Sequence, residues 1–309
     1  MLRLQRTLSI TILLTLGTVT LVTADTKRSI TMRELREAYL KANGGRQNFE
    51  SLQSFRTVGR IVPEGTDESN VLSFRIIRKR PGMLRQDVTY PNGVTRKYLV
   101  NSKGVWSKLV FSNGEERSES VEDSQIEGLQ QSAHMLSPFM QTDGRSDWVD
   151  LKGLESLGTP DGEIMAYRLV VLPVSGLPFS EIWLDGEHYR EVLVIARNTD
   201  PVTNDTVRST FYRKYDKVGD LQFPTELLVY EDGQKKQTVL IEEMKTNIGI
   251  FKSYFNQAHF LEDIISEESP EKLPEELPQI EEMSSNTGIF KSYSKQADFF
   301  EDTNPFESP

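Results

Sequence analysis

Apolar residues recur along this chain with two different periods. Early on they fall three and four apart: Leu35, Ala38, Tyr39 and Ala42 share a helical face, Thr31 and Glu34 form a capping box, and Gly44-Gly45 supplies a stop. From Ser54 the period becomes two, and runs bounded by turn signals predict strands over 55–62, 71–79, 83–90, 94–101 and 105–111. Pro91-Asn92-Gly93 and Asn113-Gly114 stand where hairpins must reverse. Residues 122–141 break the rhythm, because Ile126, Leu129, Ala133, Leu136 and Met140 give an intermittent helical face that Pro138 ends or kinks. Strands resume over 150–157, 164–172, 179–184, 190–197, 207–215, 226–230 and 238–244. One helix before about a dozen short strands and one between them predict a mainly β (α+β) fold. The expected architecture is a single curved antiparallel sheet, an incomplete β-barrel whose mouth carries a helical lid. No Pro- or Ser-rich linker divides 54–244, so one folded domain is expected over 25–265.

The two ends of the chain read differently. Arg3 and Arg6 precede an uncharged run from Leu8 to Val22, and Val22-Thr23-Ala24 closes it with a small residue; residues 1–24 are expected to be a secretory signal cleaved after Ala24. The run is short and threonine-rich for a membrane span. Among 309 residues there is no cysteine, which excludes a disulfide framework, a Cys-ligated metal, a thiol nucleophile and a lipid-anchored N-terminal cysteine. Export without cysteine suits a bacterial periplasm. The formal charge of −10 is unevenly spread: residues 266–309 hold 11 acidic and 3 basic side chains with five prolines, and this tail is expected to lack fixed structure. The remaining domain is nearly balanced, and neither part carries the clustered Lys and Arg that a nucleic-acid partner requires.

The tail also contains a repeat. Ile241-Glu-Glu-Met244 recurs as Ile280-Glu-Glu-Met283, and Gly249-Ile-Phe-Lys-Ser-Tyr254 recurs as Gly288-Ile-Phe-Lys-Ser-Tyr293. Two copies are too few for a solenoid. One reading is a tandem duplication without function; the other is a spare edge strand that competes with or extends the native one.

Catalytic constellations are hard to find. His134, His188 and His259 lie far apart, without the spacing of a helical metal site, so no metal is expected. No Gly-x-Ser-x-Gly elbow, dinucleotide fingerprint or P-loop occurs, and no cofactor is expected. Acid pairs such as Glu115-Glu116, Asp161-Gly162-Glu163 and Asp185-Gly186-Glu187 sit in turns, where solvated loop charge is the plain reading. Asn204-Asp-Thr206 fits a glycosylation triplet but reads as a polar hairpin loop. A non-enzyme is expected, with an exported hydrolase the remotest alternative.

Several separated motifs resemble one family. Ala42-Asn-Gly-Gly45 at the helix end, Ser54-Phe55 and Gly59 in the first strand, Arg78-Lys-Arg-Pro-Gly82 with Leu84-Arg85, Gly104-Val-Trp106, Gly219-Asp-Leu-Gln-Phe-Pro224 and Asn247-Ile-Gly-Ile250 are similar in order to those of LolA-like proteins. That resemblance covers roughly residues 32–255. It implies a half-barrel with helices over an apolar cavity, and a periplasmic carrier of lipoprotein or lipid acyl chains that works with membrane-bound donor and acceptor proteins in outer-membrane lipoprotein sorting. A sensor or interaction module on the same fold is the alternative. The physical need is plain, since each methylene exposed to water forfeits about 0.8 kcal/mol.

Candidate lining residues alternate along the strands: Phe74 and Ile76, Val105 and Leu109, Leu169 and Val171, Ile182 and Leu184, or their neighbours one residue along, because a one-residue slip exchanges the faces. Trp106 and Trp148 are further candidates for the cavity, and Trp183 fits cavity or core. In the family, the arginine of the Lys-Arg-Pro turn hydrogen-bonds to the lid; the matching residue here is Arg80, which reads otherwise as a solvated hairpin charge.

Overall fold

The computed structural model of the chain describes residues 30–142, 145, 147–196 and 207–261. The expected signal, the acidic tail with its second copy of the repeat, and the Asn204 triplet lie outside these residues. Helix α1 (Met32–Ala42) begins with the capping box, the Glu34 amide donating to the Thr31 hydroxyl and the Thr31 amide to the Glu34 carboxylate. A second short helix, α2 (Arg46–Ser51), follows at once. Six strands come next: β1 (Ser54–Pro63), β2 (Leu72–Lys79), β3 (Met83–Thr89), β4 (Thr95–Asn101), β5 (Gly104–Val110) and β6 (Glu116–Glu119). Helices α3 (Asp123–Ser132) and α4 (Pro138–Gln141) precede β7 (Val149–Thr159), β8 (Gly162–Val171), β9 (Phe179–Asp185) and β10 (Glu191–Ala196). After these, β11 (Arg208–Val218), β12 (Leu221–Glu231) and β13 (Gln234–Thr246) complete the sheet, and α5 (Gln257–Leu261) ends the described chain.

The strand order β6-β5-β4-β3-β2-β1-β13-β12-β11-β10-β9-β8-β7 explains the helical lid. The chain starts in the middle of the sheet, steps outward to β6, and then reappears at the opposite edge as β7 before stepping back until β13 pairs with β1. Every neighbour is antiparallel and the sheet stays open. A twisted sheet of 13 strands curls. The one connection between its two edges, residues 120–148, carries α3 and α4 and packs them on the inner face.

Alternation divides the side chains cleanly. Phe74, Ile76, Leu84, Val88, Tyr98 and Val100 face inward beneath Leu129 of α3 and Ala133, its C-cap. A second inward core gathers Leu169, Val171, Ile182 and Leu184 beneath Leu35, Tyr39 and Leu40 of α1 and Phe139 of α4. On the outer face, Ile77, Met83 and Leu99 are covered by Phe255 and Phe260 of the C-terminal segment. The Arg85 guanidinium stacks 4.4 Å from the Tyr254 ring centre, and buried Lys108 pairs with Glu116.

Two glycines permit close approaches. A Cβ at Gly59, where the β1–β13 register shifts, would meet the Leu240 carbonyl and the Phe74 ring. Gly44, at φ +111°, ends α1 directly against the backbone of Asp220 in the β11–β12 turn. Among the described residues, no helix is long and apolar enough to cross a membrane.

Candidate functional site

Between the two inward cores the packing leaves a cavity of about 170 Å³. Its floor is the concave sheet: Phe55 and Thr57 from β1, Phe74, Ile76 and Arg78 from β2, Val194 and Ala196 from β10, Tyr212 from β11, Phe223 and Leu227 from β12, and Ile241 and Met244 from β13. Its cover is Tyr39 and Phe49 from the N-terminal helices together with the stretch from Gln131 to Pro138 that joins α3 to α4. A dry engineered cavity of about 150 Å³ holds one benzene-sized guest. By that measure the space has room for about one such guest.

The expected lining residues fall in different places. Phe74 and Ile76 line the cavity. Leu169 and Val171 face inward but are packed beneath the helices in the core, away from the open space. Leu109 shares the inward parity of Val105 and is buried outside the cavity wall. Trp106 is a correction: it lies one alternation step away and packs outward against Ile77, Leu99 and Phe260. On a regular strand Trp106 and Leu109 cannot share a face, and the tight core beneath the C-terminal segment claims the tryptophan. Trp148 packs against the α1 core, and Trp183 faces outward with Leu193 and Phe211.

Two arginines on the inward parity of β2 tie the cover down. Arg80, just beyond the strand, donates to the Phe49 carbonyl at 3.0 Å and the Glu50 carbonyl at 3.1 Å, at the end of α2. Arg78, two residues earlier and buried, donates through Nε to the Ser132 carbonyl at 2.5 Å, at the end of α3. The contact with the helix that bridges the sheet edges thus comes from Arg78, while Arg80 holds the N-terminal helices. Burial pulls the Arg78 guanidinium down to about 10.

A buried polar cluster with no signal in the sequence closes one side of the cavity. The Glu191 carboxylate, at the start of β10, accepts the Phe139 amide of α4 at 2.7 Å and the Tyr39 hydroxyl of α1 at 3.4 Å. The Tyr39 and Ser137 hydroxyls are 2.8 Å apart, and Ser137 caps α4 by accepting the Met140 amide. From β11 the Tyr215 hydroxyl donates to the Glu191 carbonyl at 2.8 Å. Desolvation raises the Glu191 carboxyl to about 7 despite the opposing hydrogen bond from Phe139. Burial, reinforced by Glu191, pushes the hydroxyls of Tyr39, Tyr212 and Tyr215 above the usual tyrosine range. A charged residue opening an apolar strand, as in Glu191-Val-Leu-Val-Ile195, reads as a surface position; only tertiary packing buries it.

Comparison with solved structures finds chains similar to this one. Similar chains are a DUF1329 family protein from Desulfovibrio piger (TM-score 0.48, 10% identity, covering 74% of this chain and 98% of that one), a LolA superfamily protein from Nitrosomonas europaea (TM-score 0.45, 12% identity, 75% and 100%) and a putative outer membrane lipoprotein-sorting protein domain from Vibrio parahaemolyticus (TM-score 0.43, 10% identity, 73% and 96%). No family model matches the sequence, and no curated protein does.

Proposed function

We propose that the half-barrel is a non-catalytic periplasmic carrier that takes acyl chains of a lipoprotein or lipid into the cavity between its concave sheet and its helices. The observation that carries this reading is the cavity wall: Phe55, Phe74, Ile76, Leu227, Ile241 and Met244 leave apolar surface facing open space in the middle of the domain. Well-packed interiors rarely leave such space, because filling it gains dispersion and hydrophobic energy. A cover that can move is the second requirement, and the placement of α3 and α4 on the inner face, between two sheet edges that do not pair with each other, supports it. Arg78 and Arg80 then act as the ties that hold the helices closed and are released when a chain enters. Donor and acceptor proteins at the membranes would supply and receive the cargo.

Extraction of the purified protein and mass spectrometry of what comes away test this. Acylated molecules in stoichiometric amount are expected. Protein that is consistently empty and also fails to take up an acylated peptide refutes the carrier and leaves an interaction module on the same fold.

A further inference from the structure

We propose that Glu191 is a proton-operated latch on the cavity cover: its carboxyl group joins α1, α4 and the sheet at one point, and ionising it favours the open cavity. This rests on the cavity reading and adds its regulation. The geometry is specific. One carboxylate oxygen takes the Phe139 amide in the first turn of α4, and the other faces the Tyr39 hydroxyl, which itself meets Ser137 at the same helix start. Opening the cover at α4 must break the Phe139 contact and bring water to Glu191.

Two effects oppose each other at this point. An ionised carboxylate makes the stronger bond to an amide, which would tighten the latch. Burial among Tyr39, Phe139 and Tyr212 penalises the charge more, and the net shift, from the ordinary 4.5 up to about 7, shows that desolvation wins. Closed protein therefore holds the proton more tightly than open protein in which the group meets water. As pH rises through 7 the closed state loses that advantage. If the opened carboxyl returns to its ordinary value, the opening equilibrium grows roughly 30-fold between about pH 5.5 and about pH 8.5.

The tyrosines facing Glu191 do not share this window. Tyr39 from α1 and Tyr212 and Tyr215 from β11 are all held above the usual tyrosine range and stay neutral through it. Just before β10, Arg190 stacks its guanidinium 5.3 Å from the Tyr215 ring centre. His134 lines the same cavity from the cover, so the experiment includes His134→Gln as a control.

The test is amide hydrogen exchange of ligand-free protein, read by NMR at Phe139 and Met140 and corrected for the intrinsic pH dependence of exchange. Protection is expected to fall about 30-fold from pH 5.5 to 8.5 in the wild type and in His134→Gln, and to be flat in Glu191→Gln. A carbon-13 titration of the Glu191 carboxyl in the wild type, needed if Glu191→Gln does not fold, should give a midpoint near 7 that coincides with the change in protection. Flat protection in the wild type, an unchanged slope in Glu191→Gln, or a carboxyl that titrates in the ordinary range overturns the latch. None of these measurements uses an acyl ligand, so failure of the latch and failure of the carrier reading are separate results.

Discussion

Thr57 offers a way to set stability against binding. It lines the cavity floor from β1, is buried, and its hydroxyl has no hydrogen-bond partner among the described residues. An unmet buried hydroxyl costs about 1–3 kcal/mol. Thr57→Ile removes that cost, keeps the β-branching that suits a strand, and adds about one buried methylene worth 0.8 kcal/mol in space that is already open. Together these should stabilise the domain by about 2–4 kcal/mol, or raise its melting temperature by roughly 4–16 °C for a domain of this size. The added carbon occupies volume the ligand needs, so affinity for a dansyl-labelled fatty acid should weaken about 4- to 15-fold, the equivalent of one or two methylenes. Calorimetry and fluorescence titration of the same two proteins give both numbers. A destabilised variant would show that the hydroxyl is satisfied in solution or that the space is not there. A stabilised variant with unchanged affinity would show that the cavity is not where acyl chains bind.

Other perturbations separate the parts of the account. Arg80→Leu removes two bonds to the end of α2; it should cost about 1–2 kcal/mol in chemical denaturation and leave acyl binding intact while slowing handover to an acceptor vesicle. Phe255→Ala should cost about 3–5 kcal/mol, since this side chain fills the outer core with Ile77, Met83 and Leu99. Deleting 266–309 should change neither melting temperature nor acyl binding, and a loss of either would give the second copy of the repeat a role. Because the folded-state value of Glu191 lies above its unfolded one, its contribution to stability is full below about pH 4.5 and is lost as pH rises through 7. Glu191→Gln should therefore gain on the wild type by up to about 3 kcal/mol above pH 7.5 and match it near pH 4 in melting curves.

Much of the sheet can be read from period-two alternation, because each inward residue is matched by an outward one that water or a second layer covers. The exceptions have local causes. Strand β6 is Glu-Arg-Ser-Glu, an edge strand with no apolar alternation, held to β5 by its ladder and by the Lys108–Glu116 pair. Helix α2 was masked by Gly44-Gly45: Gly44 does end α1, but Gly45 starts the next helix as its N-cap. The Pro224 that argues for a turn sits inside β12, opposite Tyr215, beside a kink at Lys214 with φ +50°. For the cavity, the sequence limits the lining to alternating sets without choosing among them, and Phe74 and Ile76 emerge from one such set. The groups that tie the cover down are less legible. Arg78 and Glu191 look like surface charges because the helix backbone groups that hydrogen-bond to them lie some 50 residues away in sequence.

Photo-crosslinking tests the central claim most directly. A fatty acid carrying a diazirine near the end of its chain, irradiated with the full-length protein and mapped by mass spectrometry, should mark concave residues such as Phe74, Ile76, Tyr212 and Leu227. Competition by unlabelled acyl chains should remove these marks. Crosslinks confined to the outer face around Trp183 or Phe251, or none that competitor removes, would contradict the account.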